Sequence, residues 1–127
     1  MKLRLVDGLP FASLRVGYGR LSVDLPNALV DTGSAGTVLS ADVLARVGVK
    51  PEPGDEIRRI RGVGGAEFVF TRKIDRIEAG ELAAEGFIAE VGGLMYGFDL
   101  DAIIGCDFLR RVGAVVDLGR MEIRSGQ

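Results

Sequence analysis

The segment ALVDTGSAGTVLS, Ala28 to Ser40, runs two apolar residues straight into a carboxylate at Asp31. A threonine, a glycine and a serine follow at 32, 33 and 34, and the chain then turns apolar again. A buried, unpaired carboxylate is strongly unfavourable, so Asp31 needs either a partner or a shared proton. With such a partner it can do acid and base work. The chain contains no histidine. Ser-His-Asp and Cys-His nucleophile pairs and histidine-based zinc sites are therefore excluded. Any acid–base chemistry falls to carboxylates, lysine, tyrosine or the single thiol, Cys106.

Three further segments carry residues worth weighing. In RGVGGAEF, the glycines at 62, 64 and 65 flank Val63. A phosphate-binding loop would lead into a helix, whereas the following AEFVF reads as strand, so Gly62, Val63, Gly64 and Gly65 are expected at a hairpin tip. In AIIGCDFL, Ile103, Ile104 and Gly105 end a short apolar strand before a helix, which leaves Cys106 at the helix start without a histidine and expected to be structural. Asp99, Asp101 and Asp107 have the look of a calcium loop, but Ile104 stands where the EF-hand glycine belongs, so no metal site is expected. Arg58, Arg59 and Arg61 are read as a solvated face rather than a patch that reads substrate.

The elements that must position these residues are mostly strands. KLRLV alternates and DGLP turns. FASLRVGYGRLSVDL reads as two strands about the Gly17–Gly19 turn, and NALV then reaches the Asp31 loop. SADVLARVG has a Ser40 N-cap, helical spacing at Val43, Leu44 and Val47, and a Gly48 stop. EIRRIRGVGGAEFVFTR predicts one hairpin, and KIDRIEAGELAAEGFIAEV another, turning near Gly80. GGLMYGFDLD reads as loop, CDFLRRVG as a second helix and AVVDLGRMEI as a closing hairpin. DVLARVGV and DFLRRVGA match at Asp, Leu, Arg, Val and Gly, which implies two similar strand–loop–helix halves related by an internal pseudo-two-fold.

Composition sets the outer bounds. The 127 residues suffice for one domain, expected over 1–127, with 47% apolar and 27% charged residues and a net charge of −2. Neither a nucleic-acid partner nor a membrane surface is expected at that charge. No apolar run approaches the roughly 18 residues needed to span a bilayer, and MKLRLVDGLPFASLRV lacks a signal-peptide core. One cysteine excludes an internal disulfide and fits a reducing compartment, read as the cytoplasm.

LVDTGSA, the glycine-tipped RGVGGAEF and AIIGCDFL before a helix together resemble a retropepsin-like aspartic protease domain, the family of retroviral, retrotransposon and small single-domain bacterial proteases. The resemblance covers about Phe11 to Ile123. It implies an all-β, closed barrel or sandwich with a flap hairpin and one or two short helices, one lobe per chain. It further implies a homodimer in which the Asp31 carboxylates of two chains share a proton and activate a water that attacks a peptide bond, with no cofactor. Thr32 would tie the two loops together, Gly33 would let the backbone approach the carboxylates, and Ser34 would hydrogen-bond the outer oxygen of Asp31. The flap would run from about Ile60 to Phe68 over a peptide or protein substrate, and Ile103, Ile104 and Gly105 would support the Asp31 loop from below. Arginines on the first flap strand depart from the more apolar viral pattern. A protease-like fold kept as a peptide-binding or dimerisation module with little turnover is the alternative; a ligand-binding β-barrel has only composition in its favour.

Overall fold

The computed structural model describes residues 1–62, 65–94 and 99–127, with side chains throughout except between residues 60 and 67. The chain opens with β1 (Arg4–Val6), β2 (Leu9–Tyr18) and β3 (Leu21–Val30). The β1–β2 turn is Asp7-Gly8, with both residues at positive φ (51° and 79°), the geometry that Asp-Gly turns supply between twisted strands. Next come β4 (Val38–Ser40), α1 (Ala41–Leu44) and a 3-10 turn over Ala45–Val47 that stops at Gly48. The Ser40 hydroxyl accepts the Val43 N–H and caps α1. The second half holds β5 (Ile57–Gly62), β6 (Gly65–Ala79), β7 (Leu82–Gly92), β8 (Ala102–Ile104), α2 (Cys106–Arg111), β9 (Ala114–Asp117) and β10 (Glu122–Ser125).

The larger sheet runs β1-β2-β3-β8-β4-β7-β6-β5, and β2 also pairs with β6. That extra pairing closes β2, β3, β8, β4, β7 and β6 into a barrel, so the fold is all-β and retropepsin-like, with two short helices. Inside the barrel, Leu14, Leu25, Ile74, Ile77, Ile104 and Phe108 are fully buried. Burying each such side chain is worth about 1.5–3 kcal/mol. The Phe108 ring meets Phe87 edge-on, with centroids 5.7 Å apart, and this contact holds α2 against β7.

The middle of the sheet has an internal symmetry. β3 pairs parallel with β8, β8 antiparallel with β4, and β4 parallel with β7. Each short central strand, β4 and β8, leads directly into a helix. The matching DVLARVGV and DFLRRVGA segments thus follow equivalent strands on either side of the β4–β8 pair.

Two breaks expected from the sequence are absent. β3 runs through Pro26 because the β2–β3 register shifts there, placing Pro26 and Asn27 opposite Ser13; a bulge tolerates the missing N–H. β6 continues through Arg72 and Lys73 as a single strand of 15 residues, with no glycine or proline between Gly65 and Ala79 to interrupt it. One end pairs with β5 alone, and the other is built into the barrel between β7 and β2. Residues 95–98 of the expected GGLMYGFDLD loop lie outside the described residues. Near the termini, Leu3 donates its N–H to Met121 O and Ile123 to Met1 O, tying the first residues to the β9–β10 hairpin. Among the described residues, no helix is long and apolar enough to cross a membrane.

Candidate active site

Asp31 emerges where two parallel strands end together. The β3–β8 register pairs Leu29 with Ile103 and Val30 with Ile104, and the Asp31 N–H then donates to Ile104 O at 2.9 Å. The chain turns at once: Ser34 N–H donates back to Asp31 O at 3.1 Å, and Gly33 N–H to the Asp31 carboxylate at 2.9 Å. A Cβ on Gly33 would stand 3.1 Å from that same oxygen, so glycine is what lets the turn close on the carboxylate. Asp31 is half-buried, and Thr32 and Gly33 are exposed. Among the described residues no charged side chain pairs with Asp31. The difficulty of a fully buried lone charge therefore does not arise within one chain: the chain leaving β3 holds Asp31 half-buried.

The start of α2 locks the returning arm of the loop. Cys106 N–H donates to Ser34 O at 2.8 Å and Asp107 N–H to Ala35 O at 3.2 Å. Gly105 lies so close to this arm that a Cβ there would come within 2.9 Å of Ser34 O and closer still to the Gly36 carbonyl. Beneath the arm sits Thr37, fully buried. Its hydroxyl donates to the Asp107 carboxylate at 2.7 Å and accepts the Gly105 N–H at 3.0 Å. Asp107 also accepts the N–H groups of Thr37 and Phe108. Asp107 is thus a hydrogen-bond hub in place of the calcium ligand the sequence made conceivable, and no cluster of metal-binding side chains occurs among the described residues.

Not every expected contact forms. The Ser34 hydroxyl donates to Gly36 O at 2.7 Å, not to Asp31. The reason is local: the tight turn after Gly33 points Ser34 back along its own loop. Cys106, expected to be structural, is half-buried, and its Sγ donates to Thr32 O at 3.0 Å, so the thiol holds the Asp-Thr-Gly turn. Ile104 is buried in the barrel core, while Ile103 points to the opposite face.

On that opposite face lies an apolar cluster that sequence reasoning missed: Phe11, Val38, Val69, Leu100 and Ile103, with Leu29 against it. Cross-strand pairing aligns Phe11, Leu29, Ile103 and Val38 in one row across β2, β3, β8 and β4. The available signal was that LPFA, ALV, TVL and AII are apolar at successive positions, as in strands covered on both faces. The β5–β6 hairpin extends from this face, since Arg58 pairs with Val69. Gly62 and Gly65 form its last described pair; Val63 and Gly64 lie outside the described residues.

The profile of the aspartyl protease family matches residues 13–108. DNA damage-inducible protein 1 of Eremothecium gossypii is 30% identical over 111 residues, covering 85% of this chain. The chain spans about a fifth of that curated relative, 22% of its length.

Proposed function

The chain belongs to the aspartyl protease family, and we propose that it acts as a homodimeric aspartic endopeptidase with Asp31 of each chain as the catalytic pair. One observation carries this reading. Each chain has a single Asp-Thr-Gly loop, whose half-exposed carboxylate is engaged, among the described residues, by the backbone of its own loop. The second carboxylate of an acid–base pair then comes from a second copy across a two-fold axis.

Two carboxylates that close cannot both ionise, so the pair holds one proton. The ionised member takes a proton from a water, which attacks the peptide carbonyl carbon. The protonated member gives its proton to the carbonyl oxygen. Proton transfer to the amide nitrogen then releases the amine as the C–N bond breaks. Carboxylates suffice for every transfer, so the reading invokes neither cofactor nor metal. Thr32, exposed at the loop tip, suits contact with its counterpart across the axis, Ser34 and Gly33 shape the loop, and Ile103, Ile104 and Gly105 carry it from below. The β5–β6 hairpin, whose last described pair is Gly62 and Gly65, serves as the flap over a peptide or protein substrate whose side chains meet the Ile103 cluster.

Exposed apolar residues of β1 and β2 fit the dimer. Register places Leu5 beside Pro10 and Val6 beside Leu9, one and two steps past the Phe11–Leu29 pair toward Asp31. All three of Leu5, Val6 and Leu9 are exposed, Leu5 by 66%. The reduced thiol of Cys106 suits the cytoplasm. The test is cleavage of a peptide library by the wild type and by Asp31→Asn, with activity followed on dilution. Specific activity should fall as the dimer dissociates, and the variant should be inactive. Full activity at concentrations where sedimentation finds only monomer would refute the dimer; peptide binding without cleavage would favour the binding-module alternative.

A further inference from the structure

On β5, Arg58 and Arg59 are both exposed, but they lie on opposite faces of the strand. Arg58 pairs with Val69, a member of the apolar cluster beside Asp31, while Arg59 pairs with the exposed Phe68. Arg58 therefore stands on the face of the hairpin that carries Val69. There it donates to Glu90 at 3.2 Å, an ion pair that joins the hairpin arm to the barrel strand β7.

Glu90 is held on its other side by the loop that carries Asp31. Its N–H donates to Thr37 O at 3.0 Å, and its carboxylate oxygen lies 2.7 Å from where a Cβ on Gly36 would be. The two members of the pair differ in what they present. The Glu90 side chain is only 16% exposed, and the oxygen on the Gly36 side is the one Arg58 engages. Arg58 is 51% exposed, and the contact to Glu90 uses one nitrogen of its guanidinium, which has five N–H donors. Glu90 fixes the guanidinium, and half of the Arg58 side chain stays open to solvent.

We infer that Arg58 is a specificity-determining residue that receives a carboxylate side chain of the substrate near the scissile bond, with Glu90 as its positioning residue. This rests on the protease reading of the Asp31 site. A guanidinium pinned by one carboxylate keeps a planar edge for a second, and a fork of this kind accepts carboxylates in a defined geometry. Asp31 and Glu90 by themselves would repel an acidic substrate side chain. The cation on the hairpin arm makes that side chain welcome.

The experiment compares cleavage of peptide pairs that differ only by Glu or Gln, scanned through the positions around the scissile bond. At one position the wild type should favour Glu in kcat/KM by about three- to tenfold, as a partly exposed charge-assisted pair allows. In Arg58→Gln the ratio should fall to about one, and in Arg58→Glu it should invert. Glu90→Gln should leave a weakened preference. If the pair only fastens the hairpin, these variants alter both peptides alike and the ratio stays fixed, which overturns the inference. The same pairs are also titrated by fluorescence polarisation against full-length Asp31→Asn, with and without Arg58→Gln. An Arg58-dependent preference in binding with no cleavage by the wild type would uphold the subsite and refute the protease reading. A Glu/Gln ratio near one for the Asp31→Asn protein and for wild-type cleavage would refute the subsite.

Discussion

The buried Thr37 hydroxyl sits between the two halves of the fold, donating to Asp107 at 2.7 Å and accepting the Gly105 N–H. Thr37 leads from the Asp31 loop into β4, and Asp107 stands in the first turn of α2 after β8. Thr37→Val keeps the shape of the side chain but strands a buried N–H and removes one of the donors to a carboxylate. Unfolding free energy from urea titration should drop by about 1–3 kcal/mol, the range for leaving a buried polar group unsatisfied. An unchanged midpoint would mean that the two halves are held together by other contacts.

Two glycines of the loop region should answer differently to alanine. At Gly105 the backbone is extended (φ −94°), so alanine is conformationally allowed, but its Cβ would press on backbone carbonyls at Ser34 and Gly36 that cannot give way. At Gly36 the obstacle is the end of the flexible Glu90 side chain. Gly105→Ala should cost about 1–3 kcal/mol or more, as overpacked cores do, and Gly36→Ala much less. Thermal melts of both variants check this, and equal losses would contradict the close docking of the loop on α2.

The β9–β10 hairpin has a built-in acid response. The Arg120 N–H, and then the Arg124 guanidinium, hold the Asp117 carboxyl below the usual carboxylate range. A depressed folded-state value means that Asp117 stabilises the fold above its unfolded pKa of about 4, and that this contribution is lost as pH falls through the folded value. Asp117→Asn should therefore be less stable than the wild type near pH 6, with the gap narrowing toward pH 2.5. A gap that widens on acidification would reverse the sign and refute the assignment.

Much of this architecture was legible in the residues. Asp7-Gly8, Gly48 and Gly80 mark turns and stops by backbone chemistry that needs no tertiary context, and each stands where the chain turns. The run Ile103-Ile104-Gly105 before a helix located the strand beside Asp31. What stayed hidden depends on pairing. The bulge that accommodates Pro26 is a property of β2 and β3 together, and the unbroken β6 follows from serving two partners at its two ends. At the site, Thr37, Asp107 and Glu90 are ordinary polar residues in sequence, 70 positions separating the first two. The parallel β3–β8 and β4–β7 pairings bring Asp107 and Glu90 to the Asp31 loop. The Ser34 hydroxyl went to Gly36 because the turn geometry, not residue type, sets its direction.

The central claim is that one active site takes Asp31 from two chains, and mixing wild type with Asp31→Asn tests it most directly. The variant is nearly isosteric, so its chains should exchange freely into dimers. At a fixed amount of wild type, an equal amount of Asp31→Asn should place about half of the wild-type chains in mixed dimers, and a ninefold excess about nine-tenths, as random pairing dictates. If each site needs both carboxylates, cleavage of a library peptide should fall to about one-half and then to about one-tenth. A rate that stays constant across the titration, with sedimentation confirming exchange, would show that a single Asp31 suffices and would contradict the account.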